Sequence, residues 1–312
     1  MKKYLFYVFV PVSLALLFLA PLFLPPYYLG LLILTLIYGI FAMSLDILTG
    51  YTGLPSLGHA TFFGVSAYTV GILDVKVFQN FGLELVVGLF VTFVIAAFFG
   101  LLTVRTRGIY FLMITLALSM VLWGLASNWG ALTGGHDGLP SVSRPKLTLI
   151  SWDLGLTNNY YYFVLFFFIT ALVLMYLIVR SPFGVALLGI RESETRMSVL
   201  GYNVWLYKYV SFIVTGLFAG LAGILFTYYN GFVHPSVLHI ETSAKVLIMF
   251  ILGGPGTLFG PLAGAAIIVF VENLISAYIE RWQVFMGAIY VLIIICAPRG
   301  IYGPMRKLIR RG

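Results

Sequence analysis

Long apolar runs recur along the whole chain and limit its fold more than any other feature. A run of about 20 apolar residues, wound as an α-helix, crosses the hydrocarbon core of a bilayer. The runs do not show the ~10-residue alternating pattern of a membrane β-barrel. With 61% hydrophobic and only 9% charged residues and a mean hydropathy of +1.05, the chain has more apolar surface than a soluble core could bury. The sequence therefore predicts an all-α, polytopic helical membrane protein.

We expect about ten transmembrane helices, forming a single transmembrane domain over residues 1–312. Nine helices, or a re-entrant segment in place of two, also fit the pattern. The first run follows two lysines, as in a signal peptide, but its length and the lack of a small-x-small cleavage site favour an uncleaved helix. The expected helices lie near residues 4–24, 28–50, 55–73, 84–104, 108–130, 160–180, 206–230, 241–253, 258–279 and 283–298.

The basic residues lie mainly at the ends of the apolar runs, so we interpret the net charge of +8 as an orientation signal rather than a nucleic-acid surface. Ten spans with a cytosolic N-terminus place most Lys and Arg residues inside. The basic residues that this topology places outside are Lys76, Arg144, Lys146 and Arg281. The expected location is the cytoplasmic (inner) membrane, multi-pass, with both termini in the cytosol and no nucleic-acid partner.

Two long polar loops separate the apolar runs. The outer one, near residues 131–159, is rich in Gly, Pro, Ser and Asn and is flanked by Trp129, Trp152 and Tyr160–Tyr162, which fit an interfacial aromatic belt. It is either a docking face for an external partner or a connector. The cytosolic one, near residues 181–209 (the 181–209 loop), carries the densest charge of the chain.

In the 181–209 loop we expect one amphipathic helix over 189–199. It either contacts a soluble partner or is an ordinary cytosolic loop with positive-inside charge. The apolar side is expected to include Ala186, Leu187, Ile190 and Met197, and the side facing water Arg191, Glu192, Glu194 and Thr195.

Two glycine-rich stretches interrupt apolar sequence: the first break, residues 50–64, and the second break, residues 253–264. Non-helical backbone at membrane depth is tolerated only where it is buried in protein or lines a watery cavity, so both are candidates for a translocation path. Short loops and small-residue helix contacts are the alternative. We also expect close helix packing, rather than a ligand role, where Gly216, Gly220 and Gly223 fall on one helical face. The candidate path residues of the breaks are Gly53, Ser56, Gly58, Gly253, Gly254 and Gly256.

Ionisable side chains within apolar runs are costly and are functional candidates by default. Asp46 and His59 flank the first break, although a histidine beside glycines more often packs with a hydrogen bond. Glu241 and Lys245 are spaced for an intrahelical ion pair, which competes with a role in the path. Glu272 lies late in a run, near the interface.

No catalytic constellation is present. The chain has no phosphate-binding Gly-x-x-x-x-Gly-Lys-Ser/Thr motif and no metal-ligand spacing. Its single cysteine, Cys296, excludes an intrachain disulfide. We therefore expect a non-enzyme with no catalytic residue, no metal and no cofactor bound by this chain. An ion-coupled secondary transporter, using Asp46, Glu241 or Glu272, and a non-transporting scaffold remain open.

Four stretches resemble the permease subunits of ABC importers for branched-chain amino acids. Related permeases carry urea or amides, so the resemblance leaves the solute open. The resembling stretches are LTGYTGLPSLGHATFFGVSAYTVG (48–71), TRGIYFLMITLALSMVLWGLASNWGALTGGHDGL (106–139), SPFGVALLGIRESETRMSVLGYNVWLYKYVSFIVTGLFAGLAGILF (181–226) and LIMFILGGPGTLFGPLAGA (247–265).

The resemblance implies a transporter that works by alternating access. An external substrate-binding protein would deliver the solute, a second permease subunit would complete the path as a hetero- or homodimer, and cytosolic ABC ATPase subunits would use ATP. The 181–209 loop then resembles the coupling loop that contacts the ATPase. The coupling residues that the resemblance implies are Gly184, Arg191, Glu192, Glu194, Arg196 and Gly201.

Two positions depart from the family pattern. Many importer permeases carry Glu-Ala-Ala-x-x-x-Gly in the coupling loop, whereas alignment on Gly201 places Thr195, Arg196 and Met197 at the first three positions. Family members often have a glutamate where this chain has Lys245. A changed charge at a candidate path position bears on which solute is carried.

Overall fold

The computed structural model describes residues 16–77, 79–145, 154–279 and 281–296. The described chain is almost entirely helical and follows the predicted runs to within a few residues. Helix α1 covers 16–23, and the start of the predicted first helix lies outside the described residues. The later helices are α2 Pro26–Leu45, α3 Ala60–Lys76, α4 Phe81–Thr103, α5 Ile109–Asn128, α6 Gly130–Thr133, α7 Thr157–Arg180, α8 Pro182–Glu192, α9 Glu194–Val199, α10 Val204–Asn230, α11 Ile240–Gly253, α12 Gly260–Tyr278 and α13 Trp282–Cys296.

Local sequence signals explain where several helices begin. Pro26 occupies the first turn of α2, where its missing N–H costs nothing. Asn80 caps α4 by accepting from the Leu83 N–H at 3.3 Å, and Asn203 caps α10 by accepting from the Leu206 N–H at 3.2 Å. Such side-chain acceptors satisfy donors that the first helical turn leaves open.

Six helical segments in the described ranges are long and apolar enough to cross a membrane. The predicted number of about ten spans is not confirmed by this measure, because α3, α11 and α13 have 17, 14 and 15 residues. A helix of 14 residues extends only about 21 Å, less than the ~30 Å hydrocarbon core. The glycine breaks shorten α3 at its start and α11 at its end. The six segments are Pro26–Tyr51, Phe81–Thr103, Ile109–Asn128, Thr157–Arg180, Val204–Asn230 and Gly260–Tyr278.

Helix α2 lies at the centre of the bundle and packs against α7, α10, α11 and α12. Helix α10 packs closely on α3 and α4 through a face of small residues. A Cβ added at Gly223 would meet the Phe63 carbonyl oxygen, and one at Gly216 would lie 3.2 Å from the Phe62 ring. The Gly216–Gly220–Gly223 face is therefore a packing face, as predicted from its spacing.

One end of the bundle is covered by the first part of the outer loop. Strand β1, Leu139–Pro140, pairs antiparallel with β2, Phe232–Val233. Asp74, near the end of α3, accepts from the Ser143 N–H at 2.8 Å. This loop is thus folded onto the end of α3. Lys146 and Trp152, which belong to the same predicted loop, lie outside the described residues.

The opposite end of the bundle carries the two breaks and the 181–209 loop. The predicted single helix over 189–199 is wrong, because Ser193 separates α8 from α9 in an extended backbone conformation. The Ser193 hydroxyl accepts from the Arg196 N–H at 3.3 Å and starts a new helix. A serine that caps a following turn competes with continuation of the preceding helix.

Candidate functional site

Asp46 joins the two glycine breaks. It begins a π-helical turn, Asp46–Tyr51, at the end of α2 and is fully buried. Its carboxylate oxygens accept from the backbone N–H groups of Gly256 at 2.6 Å and Leu258 at 2.9 Å. Charge-assisted hydrogen bonds of this kind are stronger than neutral ones. Two segments that are about 200 residues apart in the chain therefore form one structural unit, which we call the junction (Asp46, Gly50, Gly256 and Leu258).

Glycine is required in the junction for space and for backbone conformation. A Cβ at Gly50 would lie against the Asp46 carboxylate and 2.6 Å from the Gly256 nitrogen. Gly53, Gly254 and Gly256 have φ values of +78°, +109° and +74°, a region that side chains disfavour. The backbone of the second break can therefore turn its N–H groups towards Asp46.

Other predicted path residues in the breaks serve close packing. A Cβ at Gly58 would meet the Thr115 carbonyl, and one at Gly253 the Gly260 carbonyl. Ser56 is buried and its hydroxyl accepts from the Gly58 N–H at 3.2 Å. For these residues the structure supports the small-residue contact that the sequence left as the alternative.

His59 is a buried packing residue with a hydrogen bond. Its Nε2 lies 2.8 Å from the Ser44 hydroxyl. Its ring stacks on Phe41, with ring centroids 5.4 Å apart and an interplanar angle of 12°, a distance usual for aromatic pairs. The side chain is completely buried, so His59 holds α2 against the start of α3.

Arg191 connects the 181–209 loop to the junction. From the last turn of α8, its guanidinium donates a hydrogen bond to the Gly50 carbonyl. The same Nη1 lies 3.4 Å from a Cβ placed at Gly256, and the Arg191 side chain lies 3.0 Å from one placed at Gly53. Arg191 was predicted to face water. The residue is indeed exposed, and its guanidinium is in addition bound to the first break.

Glu194 is less exposed than predicted. Its carboxylate pairs with Lys208 of α10 and with Arg107, 2.8 Å away in the segment between α4 and α5. The Glu194 side chain is 22% exposed and that of Lys208 only 3%. The turn at Ser193 points the start of α9 back onto the bundle, which turns Glu194 away from water. Glu194 therefore holds the 181–209 loop in place.

Two glycines fix the ends of the helix pair. A Cβ at Gly184 would meet the Val179 carbonyl, so the tight corner between α7 and α8 requires glycine. Gly201, with φ +87°, ends α9, and the next N–H, of Tyr202, bonds back to the Met197 carbonyl at 3.1 Å. This is the Schellman arrangement, which needs a left-handed residue.

The outward surface of α8 and α9 combines charged and apolar side chains. Glu192 and Thr195 are exposed as predicted, and Arg196 is exposed beside them. Val199 and Leu200 are 84% and 70% exposed, and the sequence analysis missed them. The sequence signal for this exposure was the position of two consecutive apolar residues directly before the glycine that ends a short charged helix. Apolar residues at such a position cannot reach the core of the bundle.

Lys245 is paired, but with a different partner from the one predicted. Its ammonium pairs with Glu272 of α12 and lies 4.4 Å from the centroid of the Tyr38 ring. Glu241 is 85% exposed, with its carboxylate 3.9 Å from His239 Nδ1. The predicted pair between Glu241 and Lys245 is wrong because a neighbouring helix offers a carboxylate together with an aromatic face. Glu272, expected late in a run and near the interface, is thus paired with Lys245 inside the bundle.

In the described ranges no three His, Cys, Asp or Glu side chains lie together as metal ligands would. The site residues form instead a series of contacts between segments of the chain. The 181–209 loop contacts the first break through Arg191, and the first break holds the second through Asp46. A displacement of α8 would thus act directly on both breaks.

Comparison with known proteins identifies one family. The family model described as "Branched-chain amino acid transport system / permease component" matches residues 27–297. The chain is 30% identical over 299 residues to the high-affinity branched-chain amino acid transport system permease protein LivM of Escherichia coli (strain K12), covering 88% of this chain and 69% of that protein.

Two further relatives are permease proteins named LivH. The chain is 24% identical over 289 residues to the Escherichia coli (strain K12) permease protein LivH, covering 85% of this chain and 91% of that protein. It is 26% identical over 303 residues to the probable LivH permease of Methanocaldococcus jannaschii, covering 90% and 93%. No solved structure is significantly similar to the chain.

Proposed function

The chain belongs to the family of branched-chain amino acid transport permease components, and on this premise we propose that it is the permease subunit of an ABC importer. It moves branched-chain or related amino acids across the cytoplasmic membrane by alternating access. The observation that carries the mechanism is the bond from Arg191, on the 181–209 loop, to the Gly50 carbonyl of the first break. Through the junction, this bond supports a mechanism in which a movement of the loop acts on both breaks.

The loop is proposed to act as the coupling element for cytosolic ABC ATPase subunits. Val199 and Leu200 offer apolar contact area, and Glu192 and Arg196 offer exposed charge beside it. Arg191 transmits the resulting movement to the breaks, and Glu194 keeps the helix pair attached to α10. ATP can change the permease only if its ATPase partners bind the loop differently in two states.

The remaining subunits follow from the same proposal. A second permease subunit completes the path, an external binding protein supplies the amino acid, and the partner ATPases use ATP, while this chain binds no cofactor. We place about ten helices in one domain with both termini in the cytosol. The break end, with the 181–209 loop, then faces the cytosol, and the β1–β2 end faces outwards.

An ion-coupled transporter would need carboxylates free to exchange an ion. Asp46 is bound by two backbone N–H groups. This arrangement does not favour that alternative, because the carboxylate already has strong partners.

The proposal is tested by reconstituting the chain in liposomes with its ATPases, second permease and binding protein. We expect uptake of leucine, isoleucine or valine that requires hydrolysable ATP and every component. Uptake by this chain alone, driven by an ion gradient, would overturn it. Uptake of urea or an amide instead would overturn the assignment of the solute only.

A cross-linking arm tests the orientation and the partner. The single native cysteine is first removed as Cys296→Ala, and Thr195→Cys is introduced on the exposed face of α9. We expect cross-links to the ATPase. The matched control is Tyr278→Cys. Tyr278 is 83% exposed and is the last residue of α12, at the end of that helix far from the second break. ATPase cross-links from Tyr278→Cys, with none from Thr195→Cys, would reverse the proposed orientation.

A further inference from the structure

A cavity of about 610 Å³ lies between α2, α11, α12 and α13. It extends from Glu241 and Thr242, in the first turn of α11, to Lys245 one turn deeper. Because α11 starts beside β2 and ends at the second break, the cavity opens near the β1–β2 end of the bundle. It is thus separate from the junction, which lies at the break end.

The walls of the cavity carry charges of both signs in apolar surroundings. Lys245 and Glu272 are each only 18% exposed, and Glu241, at the mouth, is 85% exposed. Buried charges are costly even when paired, and replacement by apolar residues is often neutral or stabilising. An ion pair that borders an open cavity, rather than tightly packed side chains, is suited to exchanging partners with a charged ligand.

The remainder of the lining combines apolar and aromatic side chains with the polar Thr242 and Gln283, and it leaves unfilled space. Met286 is buried, and Trp282 and Tyr290 border the cavity. A Cβ added at Gly287 would have no heavy atom within 4 Å. Apolar walls with a few convergent polar groups are the usual composition of a small-ligand site, and methionine adapts to differently shaped aliphatic groups.

We propose that this cavity binds the zwitterionic form of an amino acid with an apolar side chain. Lys245 pairs with the ligand carboxylate, and Glu272, with Glu241 at the mouth, pairs with the ligand ammonium. The aliphatic group lies against Met286 in the space beside Gly287. This inference rests on the proposed function and deepens it, since it locates where the amino acid first meets the permease on the outer side.

The charge pair suits a zwitterion better than a simple cation or anion. A ligand with only an ammonium group would bind Glu272 and leave Lys245 unpaired. A ligand with only a carboxylate would bind Lys245 and leave Glu272 unpaired. A zwitterion replaces the single Lys245–Glu272 pair by two pairs, so neither charge is left unpaired in a partly buried site. The headgroup of phosphatidylethanolamine shares this chemistry, and the experiment distinguishes it.

The first test fills the cavity. Gly287→Leu is compared with Gly124→Leu on α5, where an added Cβ also has no heavy atom within 4 Å. Both variants are purified with the partner subunits and reconstituted. We expect KM for leucine uptake to rise at least about tenfold in Gly287→Leu, as loss of space for one aliphatic group implies, and to change less than about twofold in Gly124→Leu. Equal KM values in the two variants would overturn the proposal.

The second test reverses the charges while keeping an ion pair. In the double variant Lys245→Glu with Glu272→Lys, the pair survives, so a purely structural role predicts normal assembly and normal uptake. We expect assembly to persist and leucine uptake to fall at least about tenfold, because both ligand charges then meet like charges. Normal uptake by the assembled variant would overturn the proposal.

Photo-leucine, a diazirine analogue of leucine, identifies the occupant directly. Cross-linked peptides are expected from α11 and α13 of the wild-type complex, with competition by leucine and loss in Gly287→Leu. Competition by phosphatidylethanolamine vesicles but not by leucine would assign the cavity to a lipid headgroup and overturn the amino-acid site. Failure of the wild-type complex to take up any amino acid would overturn the proposed function itself, whereas normal uptake with unaffected variants would overturn the site alone.

Discussion

Asp46→Asn is the most direct test of the junction. The carboxylate accepts two backbone N–H groups, from Gly256 and Leu258. An asparagine keeps one acceptor oxygen and turns its amide N–H₂ towards the second donor, so one buried N–H loses its partner. Loss of a charge-assisted hydrogen bond and an unsatisfied buried donor each cost about 1–3 kcal/mol. We therefore expect the junction to weaken by about 2–4 kcal/mol, which raises the open fraction about 30- to 1,000-fold.

Hydrogen exchange of the assembled importer measures this change locally. The amides of Gly256 and Leu258 are expected to exchange faster by that factor in Asp46→Asn, and ATP-driven uptake is expected to fall. Asp74→Asn is the matched control at the opposite end of the bundle, because Asp74 also accepts from a loop, through the N–H and hydroxyl of Ser143. The Ser143 hydroxyl can rotate to accept instead, so exchange there should change less. Unchanged exchange at Gly256 and Leu258 would show that the Asp46 carboxylate does not hold the second break.

Three further changes address the loop and the ion pair. Arg191→Met should leave ATP hydrolysis by the complex unchanged. Uptake per ATP should fall about 10- to 100-fold, because one charge-assisted hydrogen bond is lost. An unchanged ratio of uptake to hydrolysis would contradict the role of Arg191 in transmitting loop movement to the breaks. Val199→Glu should weaken co-purification of the ATPase without lowering the melting temperature of the isolated chain, because Val199 is 84% exposed. In the control Leu187→Glu the charge replaces a fully buried side chain, so the melting temperature itself should fall. Lys245→Met leaves Glu272 unpaired and should destabilise the chain by about 3–5 kcal/mol. Adding Glu272→Met should restore the stability measured by thermal unfolding. If stability is not restored, the Lys245–Glu272 ion pair is not the cause of the loss.

Much of the helical architecture was predictable from local pattern. The apolar runs from 26 to 296 appear as helices close to the expected bounds, because the length and hydropathy of a run decide by themselves whether it can cross a bilayer. The Gly216–Gly220–Gly223 face was also predicted correctly, since the spacing of small residues on a helix is a local property.

Several wrong predictions concern contacts between segments that are distant in the chain, whereas the break of the predicted 189–199 helix at Ser193 is local. Glu241 and Lys245 have ideal spacing for a pair, yet Lys245 binds Glu272 on another helix. Arg191 and Glu194 have the composition of exposed residues, yet each is bound to a partner elsewhere in the bundle. The pattern along one helix predicts pairs between residues that are close in sequence. It does not show which side chains of other helices folding brings closer.

The sequence by itself determined a helical membrane protein with two glycine-rich interruptions, one densely charged loop and a strong family resemblance. These depend on hydrophobicity, backbone conformation and residue order, which are properties of short segments. Only the tertiary structure decided that Asp46 ties the two interruptions together, that Arg191 reaches them from the charged loop, and that a mixed-charge cavity lies beside Lys245. Those features depend on which side chains meet when α2, α8, α11 and α12 pack, and packing selects among partners that local sequence leaves equally available.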